Sequence, residues 1–183
     1  TRLYLENVAK RQNVVLIRNE ENLGFIEPNN ILVGKGKGDF IILLNSDCEV
    51  YSGWDTSLIG WLIGNSDCKI VGHQGCKLDV NGLGGEVSFG DEIDYVCGWC
   101  LCLSRKTYKQ NGLFDKDNLG FAYFEDADLC LRILEKKGQI YALHLGLVKH
   151  YGNATINFVK DEKDCKITFQ NNQNTFKLDG DII

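Results

Sequence analysis

Residues 38–47 read GDFIILLNSD, and this stretch decides the fold class. Five consecutive apolar residues end abruptly in three polar ones, a pattern typical of a central strand that is covered on both faces. In open α/β sheets, ligands bind beyond the carboxyl ends of the strands. We therefore expect Asn45, Ser46 and Asp47 to lie where the chemistry takes place.

The preceding residues predict a strand and a helix. The aliphatic and β-branched run over 13–18 is typical of a buried strand, and the spacing over 3–10 is helix-like. Pro28 suits the first turn of a helix through residues 30–33, which the glycines at 34, 36 and 38 would stop. Strand, helix and strand in this order predict a βαβ unit.

The following residues continue the α/β pattern, with predicted helices over 54–63 and 122–137. Strands are predicted over 69–72, 94–103 and 139–148, with loops and edge strands over 75–90. Acidic residues open the second helix and Gly138 stops it. The tail over 153–183 is polar and poorly periodic until 166–169.

Composition limits the function classes. A chain of 183 residues with 44% hydrophobic residues can form one compact domain. A net charge of -5 provides no basic field for a polyanion, which disfavours nucleic-acid binding. No apolar run approaches the roughly 20 residues that span a bilayer. We expect a soluble protein, and the reduced thiols described next favour the cytoplasm.

The eight cysteines are interpreted as reduced thiols, because Cys97, Cys100 and Cys102 lie in an apolar, strand-like run. The spacing Cys97-x-x-Cys100, with His144 and His150 downstream, is half of a zinc pattern. A second cysteine pair with this spacing is missing from the sequence, so buried thiols are the better interpretation.

Two acidic groups could carry chemistry. Asp47, at the end of its strand, can hold Mg²⁺ or Mn²⁺, which take oxygen ligands and bridge to phosphates; Asn45, Ser46 and Asp47 are equally common turn formers. Glu125, Asp126 and Asp128 open a helix, where acids interact favourably with the helix dipole. Amid neighbouring aromatic residues, one of these carboxylates could also act as a general base.

The order of the motifs resembles family 2 glycosyltransferases, most closely the bacterial rhamnosyltransferase-like branch, over residues 1–155. The resemblance rests on NLGF at 22–25, Asn30, GDFIILLNSD at 38–47, VCGWC at 96–100, GLFD at 112–115, FEDADLCLR at 124–132 and His150. It implies a GT-A-type three-layer α/β sandwich with a mixed, mainly parallel central sheet. It also implies transfer of a sugar, with inversion, from a nucleotide-diphosphate sugar to an acceptor hydroxyl.

The resemblance also implies roles for individual residues. Asn45-Ser46-Asp47 matches the metal-binding DxD motif with asparagine in the first position, so Asp47 would supply most of the negative charge. Asp126 matches the catalytic base, and Glu125 would orient it or share its task. The remaining roles are nucleotide binding by Asn22, Gly24, Asn30, Asn45, Ser46 and Asp47, acceptor binding by Gly98, Trp99 and Asp128, and metal binding by His150 beside Asp47. For Trp99, ordinary core packing is an open alternative to acceptor binding. For His150, a purely structural role is an open alternative to metal binding.

Relatives begin with a strand, a helix and a second strand, so the resemblance places the start of this chain about 40 residues into the domain. It implies a partial nucleotide-binding half over 1–50, an acceptor half over 51–155 and an extension over 156–183, within a longer chain. The implied acceptor is a glycan or a lipid-linked intermediate of bacterial cell-envelope polysaccharide. Peripheral association with the inner face of the membrane would follow.

Three other functions would leave different signs in the sequence. The GKGKG run at 34–38 closes a helix instead of opening one, which argues against a phosphate loop. A nucleotidyltransferase would need a basic, glycine-rich triphosphate loop near its start. A non-catalytic, carbohydrate-binding or scaffolding remnant of a transferase stays open, since Asn45 replaces an aspartate.

Overall fold

The computed structural model describes residues 1–79 and 84–152; the predictions for 153–183 lie outside these ranges. Five helices occur in the described chain. Their bounds are α1 Arg2–Val8, α2 Ile26–Lys35, α3 Trp54–Gly64, α4 Arg105–Asn111 and α5 Glu125–Glu135. No helix in the described ranges combines the length and the apolar character that crossing a bilayer requires.

The described strands form three sheets. Their bounds are β1 Phe40–Leu44, β2 Cys48–Val50, β3 Cys68–Gly72, β4 Gly75–Leu78, β5 Gly84–Ser88, β6 Tyr95–Val96, β7 Cys100–Ser104, β8 Gln139–Ala142 and β9 Val148–His150. A four-stranded sheet has the order β1-β7-β3-β8, a three-stranded sheet has the order β5-β4-β6, and β2 pairs with β9.

The four-stranded sheet is mixed, as the sequence predicts. β7 is antiparallel to both β1 and β3, whereas β3 and β8 are parallel. β1, β3 and β8 therefore run in one direction, and β7 runs in the other. The register of Leu44 with Cys100 places the carboxyl end of β1 beside the start of β7. Residues that follow β1 consequently lie close to those that precede β7.

Helices cover both faces of this sheet. Alternate residues of β1 point to opposite sides: Ile41 and Leu43 join a core with side chains of α2 and α5, and Phe40 and Ile42 pack against a second core with Leu58 and Leu62 of α3. The two cores separate helix, sheet and helix into three layers. The three-layer arrangement expected from the sequence is therefore present.

The predicted strand over 13–18 is absent, and this prediction was wrong. The segment has no regular secondary structure, and Val15 is 68% exposed. Within the described residues it has no partner strand, and an unpaired strand leaves its backbone groups without hydrogen bonds. The predicted βαβ unit is consequently not formed, and β1 lies at an edge of the described sheet instead of at its centre.

Two predicted strands are each divided. The run over 94–103 breaks at residues 97–99, because β6 pairs with β4 in the three-stranded sheet and β7 belongs to the four-stranded sheet. A Cβ atom at Gly72 would lie 2.3 Å from Val96 Cγ1 and 2.5 Å from the Cys100 carbonyl oxygen, so glycine permits the two sheets to approach at this break. The run over 139–148 likewise divides into β8 and β9, with Gly146 at a φ of +62° between them.

Helix α5, which was predicted over 122–137, begins at Glu125, three residues later than predicted. Tyr123 and Phe124 have φ angles of 80° and 67°, which lie in the left-handed region and cannot continue a right-handed helix. The helix ends at Glu135, two residues before the predicted end at Lys137, and the residue with a left-handed backbone after it is Lys137 (φ 61°) and not Gly138. Helix α4 was not predicted; the Ser104 Oγ accepts a hydrogen bond from the Thr107 N–H at 3.0 Å and caps it.

Candidate functional site

The turn between β1 and β2 brings Asp47 to His150. The register of β2 with β9 places Cys48 opposite His150, and the Tyr151 N–H donates to the Asp47 carbonyl oxygen at 3.0 Å. His150 Nε2 lies 3.2 Å from Asp47 Oδ1, with the two side chains 25% and 14% exposed. The structure therefore brings together the two residues that the sequence predicts as metal ligands.

Trp99 connects this turn to the acidic helix start. Its ring stacks on the His150 ring, with centroids 4.9 Å apart and planes 14° apart. Its carbonyl oxygen accepts a hydrogen bond from the Asn45 N–H at 2.9 Å. The ring also packs partly against the core beside α3, so both open interpretations of Trp99, site residue and core residue, agree with its surroundings.

Asp126 is held by two backbone N–H groups. Gly98 donates to Oδ2 at 2.8 Å and Ala127 donates to Oδ1 at 2.9 Å. A Cβ atom at Gly98 would lie 3.3 Å from the Asp126 Cβ and 3.4 Å from Oδ2. Gly98 therefore allows the backbone to approach this carboxyl closely.

Glu125 has a different environment from its neighbour. It is 7% exposed, and its Oε2 has no hydrogen-bond partner within the described chain. Burial, and then the charge of Asp126, raise the pKa of Glu125 to about 8. Burial also raises the pKa of Asp126, but the N–H donors of Gly98 and Ala127 oppose this effect. Since Asp126 remains partly exposed, it is the better placed of the two to meet a ligand as a carboxylate.

Strained backbone precedes both acids. Tyr123 and Phe124 are two successive residues with Cβ atoms in the left-handed region. Such conformations cost on the order of 1–3 kcal/mol each and persist when the surrounding structure requires them. Here they turn the chain directly into α5, so that Glu125 and Asp126 form its first turn.

The predicted metal end and the predicted base are joined by a short path of contacts. It runs from Asp47 to His150, across the stacked rings to Trp99, along the chain to Gly98 and by a hydrogen bond to Asp126. Residues 97–99 are the turn that separates β6 from β7. Asp126 contacts this turn directly through Gly98, and Asp47 reaches it through His150, whose ring stacks on Trp99.

Cys48 belongs to this site, although the sequence analysis did not select it. Ligand atoms of Asp47, Cys48 and His150 all lie within 4.8 Å of one another. The Cys48 thiol donates to the Trp99 carbonyl oxygen at 3.7 Å, and burial, followed by the charge of Asp47, raises its pKa to about 11. The sequence indicates this role only indirectly, since Cys48 directly follows Asp47. A carboxylate, an imidazole and a thiol within this distance are a donor set that fits a divalent cation.

Three residues predicted to bind nucleotide lie within α2 or just before it, and each has close neighbours within the protein. Asn22 Oδ1 accepts the Gly24 N–H at 3.0 Å, and a Cβ atom at Gly24 would lie 2.3 Å from the Phe121 carbonyl oxygen. The Asn30 side chain donates to the Phe114 carbonyl oxygen at 2.8 Å and accepts the Phe114 N–H at 3.1 Å. These contacts join α2 to the segment before α5. Nucleotide binding by the three residues stays a prediction.

Asp128, predicted to bind the acceptor, faces Arg132. Its Oδ2 lies 2.8 Å from Arg132 Nη2, and the guanidinium also donates to the carbonyl oxygens of Asn111 and Leu113 at 2.6 Å each. This arrangement anchors α5 to the end of α4. Acceptor binding by Asp128 likewise stays a prediction.

A cavity of about 830 Å³ lies at the opposite end of β1 and β7. Its lining includes Phe40, Cys68, Lys69, Ser104 and Arg105, and none of the predicted site residues. The register of Phe40 with Ser104 places this cavity at the amino end of β1, whereas Asp47 follows the carboxyl end. The cavity is therefore separate from the candidate site.

Comparison with solved structures shows the fold. The chain is similar to the crystal structure of GalNAc-T7 with UDP, GalNAc and Mn²⁺, with a TM-score of 0.68 and 18% identity. The match covers 81% of this chain and 34% of that chain, so the chain spans about one third of its length. The mixed α/β arrangement of the GT-A type that was expected is confirmed.

Sequence comparison shows the family. No match to a curated protein was found. The sequence profile described as glycosyl transferase family 2 matches residues 1–124, which is more than half of the 183 residues. The chain therefore belongs to glycosyl transferase family 2.

Proposed function

We propose that the chain forms the sugar-transferring part of an inverting glycosyltransferase. The donor would be a nucleotide-diphosphate sugar, and the acceptor would be a hydroxyl group of a glycan or a lipid-linked intermediate. The observation that carries the proposal is the path of contacts from Asp47 through His150, Trp99 and Gly98 to Asp126. It links a cation-binding group to a carboxylate through the turn at residues 97–99, and sugar transfer uses both groups.

Asp47 and His150 would hold the divalent cation, with Cys48 as a further donor. When bound, the cation would neutralise the charge of the departing diphosphate. The imidazole donor favours Mn²⁺ over Mg²⁺, since Mg²⁺ strongly prefers oxygen ligands. Because Asn45 is neutral, Asp47 would be the carboxylate that attracts the cation from this turn. Asn45, Ser46, Asn22, Gly24 and Asn30 would contribute to nucleotide binding.

Asp126 would act as the general base. Its carboxylate takes the proton of the acceptor hydroxyl as the hydroxyl oxygen bonds to the anomeric carbon of the sugar. The bond from that carbon to the diphosphate oxygen breaks, and the nucleotide diphosphate leaves with the electron pair. Since attack and departure occur on opposite faces, the configuration inverts. The N–H groups of Gly98 and Ala127 keep the carboxylate oriented.

Glu125 would support the base without competing with it. A neutral Glu125 avoids placing two adjacent negative charges in a buried site, and the raised pKa of its carboxyl is consistent with this state. Gly98 and Trp99 would line the acceptor side, with the indole ring as an apolar face for a sugar. Asp128 would contribute there through its position one turn into α5.

The biological setting is proposed from the resemblance of the motifs to rhamnosyltransferase-like enzymes. The acceptor would be an intermediate of bacterial cell-envelope polysaccharide, with synthesis in the cytoplasm at the inner face of the membrane. The chain would act within a longer protein, with residues 1–50 in its nucleotide-binding half and 51–155 in its acceptor half. GalNAc-T7, a structure with UDP and Mn²⁺, supports testing UDP first.

The deciding experiment compares Asp126→Asn with Glu135→Gln, an exposed acid on the last turn of the same helix. Sugar release from a panel of UDP-, GDP- and dTDP-sugars with Mn²⁺ is measured for each variant. We expect Asp126→Asn to lower turnover at least about 100-fold and to retain UDP binding, and Glu135→Gln to match the parent. Unchanged turnover in Asp126→Asn, or glycan binding without any turnover in the parent, would overturn the enzymatic proposal.

A further inference from the structure

Two buried thiols lie in contact beside the proposed base. Cys76 of β4 and Cys97, which follows β6, are each 7% exposed, and their sulfur atoms are 3.5 Å apart. Strand pairing holds them there: the Asp94 N–H donates to the Cys76 carbonyl oxygen and the Cys97 N–H donates to the Gln74 carbonyl oxygen, both at 3.0 Å. The contact of the two sulfurs is therefore fixed by the three-stranded sheet and by the residue that follows β6.

We propose that Cys76 and Cys97 form a redox modification site, which a hydroperoxide oxidises to a disulfide and a dithiol reduces again. We also propose that the disulfide lowers transferase activity by displacing the Gly98 N–H from Asp126. The first statement stands on the sulfur contact alone. The second rests on the proposed function, because it needs Asp126 to be the base.

The pair has the chemistry for a two-step oxidation. The hydrogen bond between the two sulfurs lowers the pKa of Cys76, whereas the same pairing, together with burial, raises the pKa of Cys97. The Cys76 thiolate attacks an oxygen of hydrogen peroxide: an S–O bond forms, the O–O bond breaks and hydroxide leaves, so that Cys76 becomes a sulfenic acid; the hydroxide takes up the proton that the Cys76 thiol released and becomes water. The Cys97 sulfur then attacks Cys76: an S–S bond forms, the S–O bond breaks, and the hydroxyl leaves as water with the Cys97 proton.

Disulfide formation requires movement, and the structure indicates which side moves. A disulfide bond is about 2.05 Å long, so the two sulfurs must approach by roughly 1.5 Å. Cys76 lies on β4, which is paired with β5 on one side and with β6 on the other. Cys97 lies in the turn between two sheets, one residue before Gly98. Movement of this turn would change the 2.8 Å hydrogen bond from Gly98 to Asp126.

Other buried cysteines in the described chain use their sulfurs differently. The Cys68 thiol donates to the Ile70 carbonyl oxygen at 3.2 Å, and the Cys130 sulfur accepts the Val96 N–H at 3.3 Å. Both sulfurs contact backbone groups instead of a second thiol. Cys68 therefore provides a matched control, because serine can preserve its hydrogen bond to the backbone.

The experiment treats the folded protein with stoichiometric hydrogen peroxide and maps the disulfides by peptide mass spectrometry. We expect a peptide pair linked through Cys76 and Cys97, with the loss of two hydrogen atoms, which dithiothreitol reverses. Cys76→Ser and Cys97→Ser should each abolish the linked pair, and Cys68→Ser should retain it. Circular dichroism confirms that each variant is folded. A folded parent protein that forms no such link, or forms it equally between other cysteines, would overturn the modification site.

The coupling to Asp126 has its own readouts. Hydrogen exchange of the peptide that contains Gly98 should accelerate at least about ten-fold on oxidation, since an amide that loses its partner exchanges faster. Sugar release should fall by a similar factor and recover on reduction. Unchanged exchange in the oxidised protein would overturn the coupling. If the parent shows no sugar release at all, the proposed function fails, while the disulfide and exchange measurements still decide the modification site.

Discussion

Gly98 and Asp126 lie in close contact, and the Asp126 carboxyl can take its position because Gly98 has no side chain. The Gly98 N–H donates to Asp126 Oδ2 at 2.8 Å, and a Cβ atom at Gly98 would lie 3.3 Å from the Asp126 Cβ. Gly98 does not have a positive φ, so its conformation alone does not require glycine. The requirement comes from the neighbouring carboxyl group.

Gly98→Ala is therefore expected to affect activity more than stability. The added methyl group would press on Asp126 and displace its carboxyl, which should lower sugar release about ten-fold or more, with a stability loss of about 1 kcal/mol. Gly60→Ala is the control, because a Cβ atom there meets nothing within 4 Å and alanine favours the helix by about 0.5–1 kcal/mol. Turnover and urea unfolding of both variants test this prediction. A Gly98→Ala variant with the same turnover as the parent protein would contradict it.

His150→Phe tests the proposed cation site while keeping the ring. Phenylalanine can preserve the stack on Trp99, but it removes the Nε2 that lies 3.2 Å from Asp47. Mn²⁺ affinity in the presence of UDP should fall at least about ten-fold, since even residues that only orient a ligand contribute that much. Free Mn²⁺ measured by electron paramagnetic resonance gives the affinity.

His144→Phe is the matched control for that measurement. The His144 ring also stacks on an aromatic ring, that of Phe89, with centroids 3.9 Å apart and planes 12° apart. It is outside the cluster of Asp47, Cys48 and His150. Its replacement should leave Mn²⁺ affinity unchanged. Equal losses in the two variants would show that ring chemistry, and not position, explains the effect.

Glu125→Gln should change how stability depends on pH. Burial raises the pKa of Glu125 to about 8 in the folded protein, so the folded state binds the proton more tightly than the unfolded state. The stabilisation is therefore complete below the unfolded pKa and is lost as the pH rises towards about 8. Glutamine cannot ionise. The free energy of unfolding of the variant should therefore fall less steeply with pH, by up to about 1.4 kcal/mol per pH unit.

Urea unfolding at several pH values between 5 and 8 measures that slope. Glu135→Gln provides the comparison, because this exposed side chain at the end of α5 should leave the slope as in the parent. A parent protein whose stability does not fall over this range would contradict a raised pKa for Glu125. An identical slope in Glu125→Gln would assign the effect to another group.

Asn30→Ala should lower stability even without nucleotide. The Asn30 side chain forms hydrogen bonds with both backbone groups of Phe114, and the variant would leave these groups without partners, at a cost of about 1–3 kcal/mol. Asn29→Ala removes a single local bond to the Phe25 carbonyl oxygen and should cost less. Thermal unfolding compares them. A loss of UDP affinity at unchanged stability would instead support direct contact of Asn30 with the nucleotide.

The sequence predicts those parts of the fold whose signals are local. The apolar run of β1 ends at a polar turn, and the acids over 125–128 form the first turn of α5, because both signals act on neighbouring residues. The strand over 13–18 was wrong because aliphatic composition does not reveal whether a partner strand is available. The break at residues 97–99 was missed because both halves of the run are apolar, although each half belongs to a different sheet.

The candidate site was predictable in its acids but not in its connections. Asp47 and the acids over 125–128 stand out by their positions at the end of a strand and at the start of a helix, whereas the choice of Asp126 as base and of His150 as metal ligand came from the resemblance of the motifs. The approach of His150 to Asp47 depends on β2 pairing with β9, across about a hundred residues of sequence, which single-sequence patterns do not encode. Cys48 joins the site through the same pairing.

The turn at residues 97–99 also limits how this protein could be redesigned. One side of the turn contacts the residues proposed to choose the cation, and the other contacts the residue proposed to accept the proton. An engineer who grafted a new cation preference onto residues 45–48 would disturb the support of Trp99 and, through it, that of Gly98. To move either the cation preference or the proton acceptor from one relative to another, residues 97–99 would have to be transferred together with the residues that contact them on both sides.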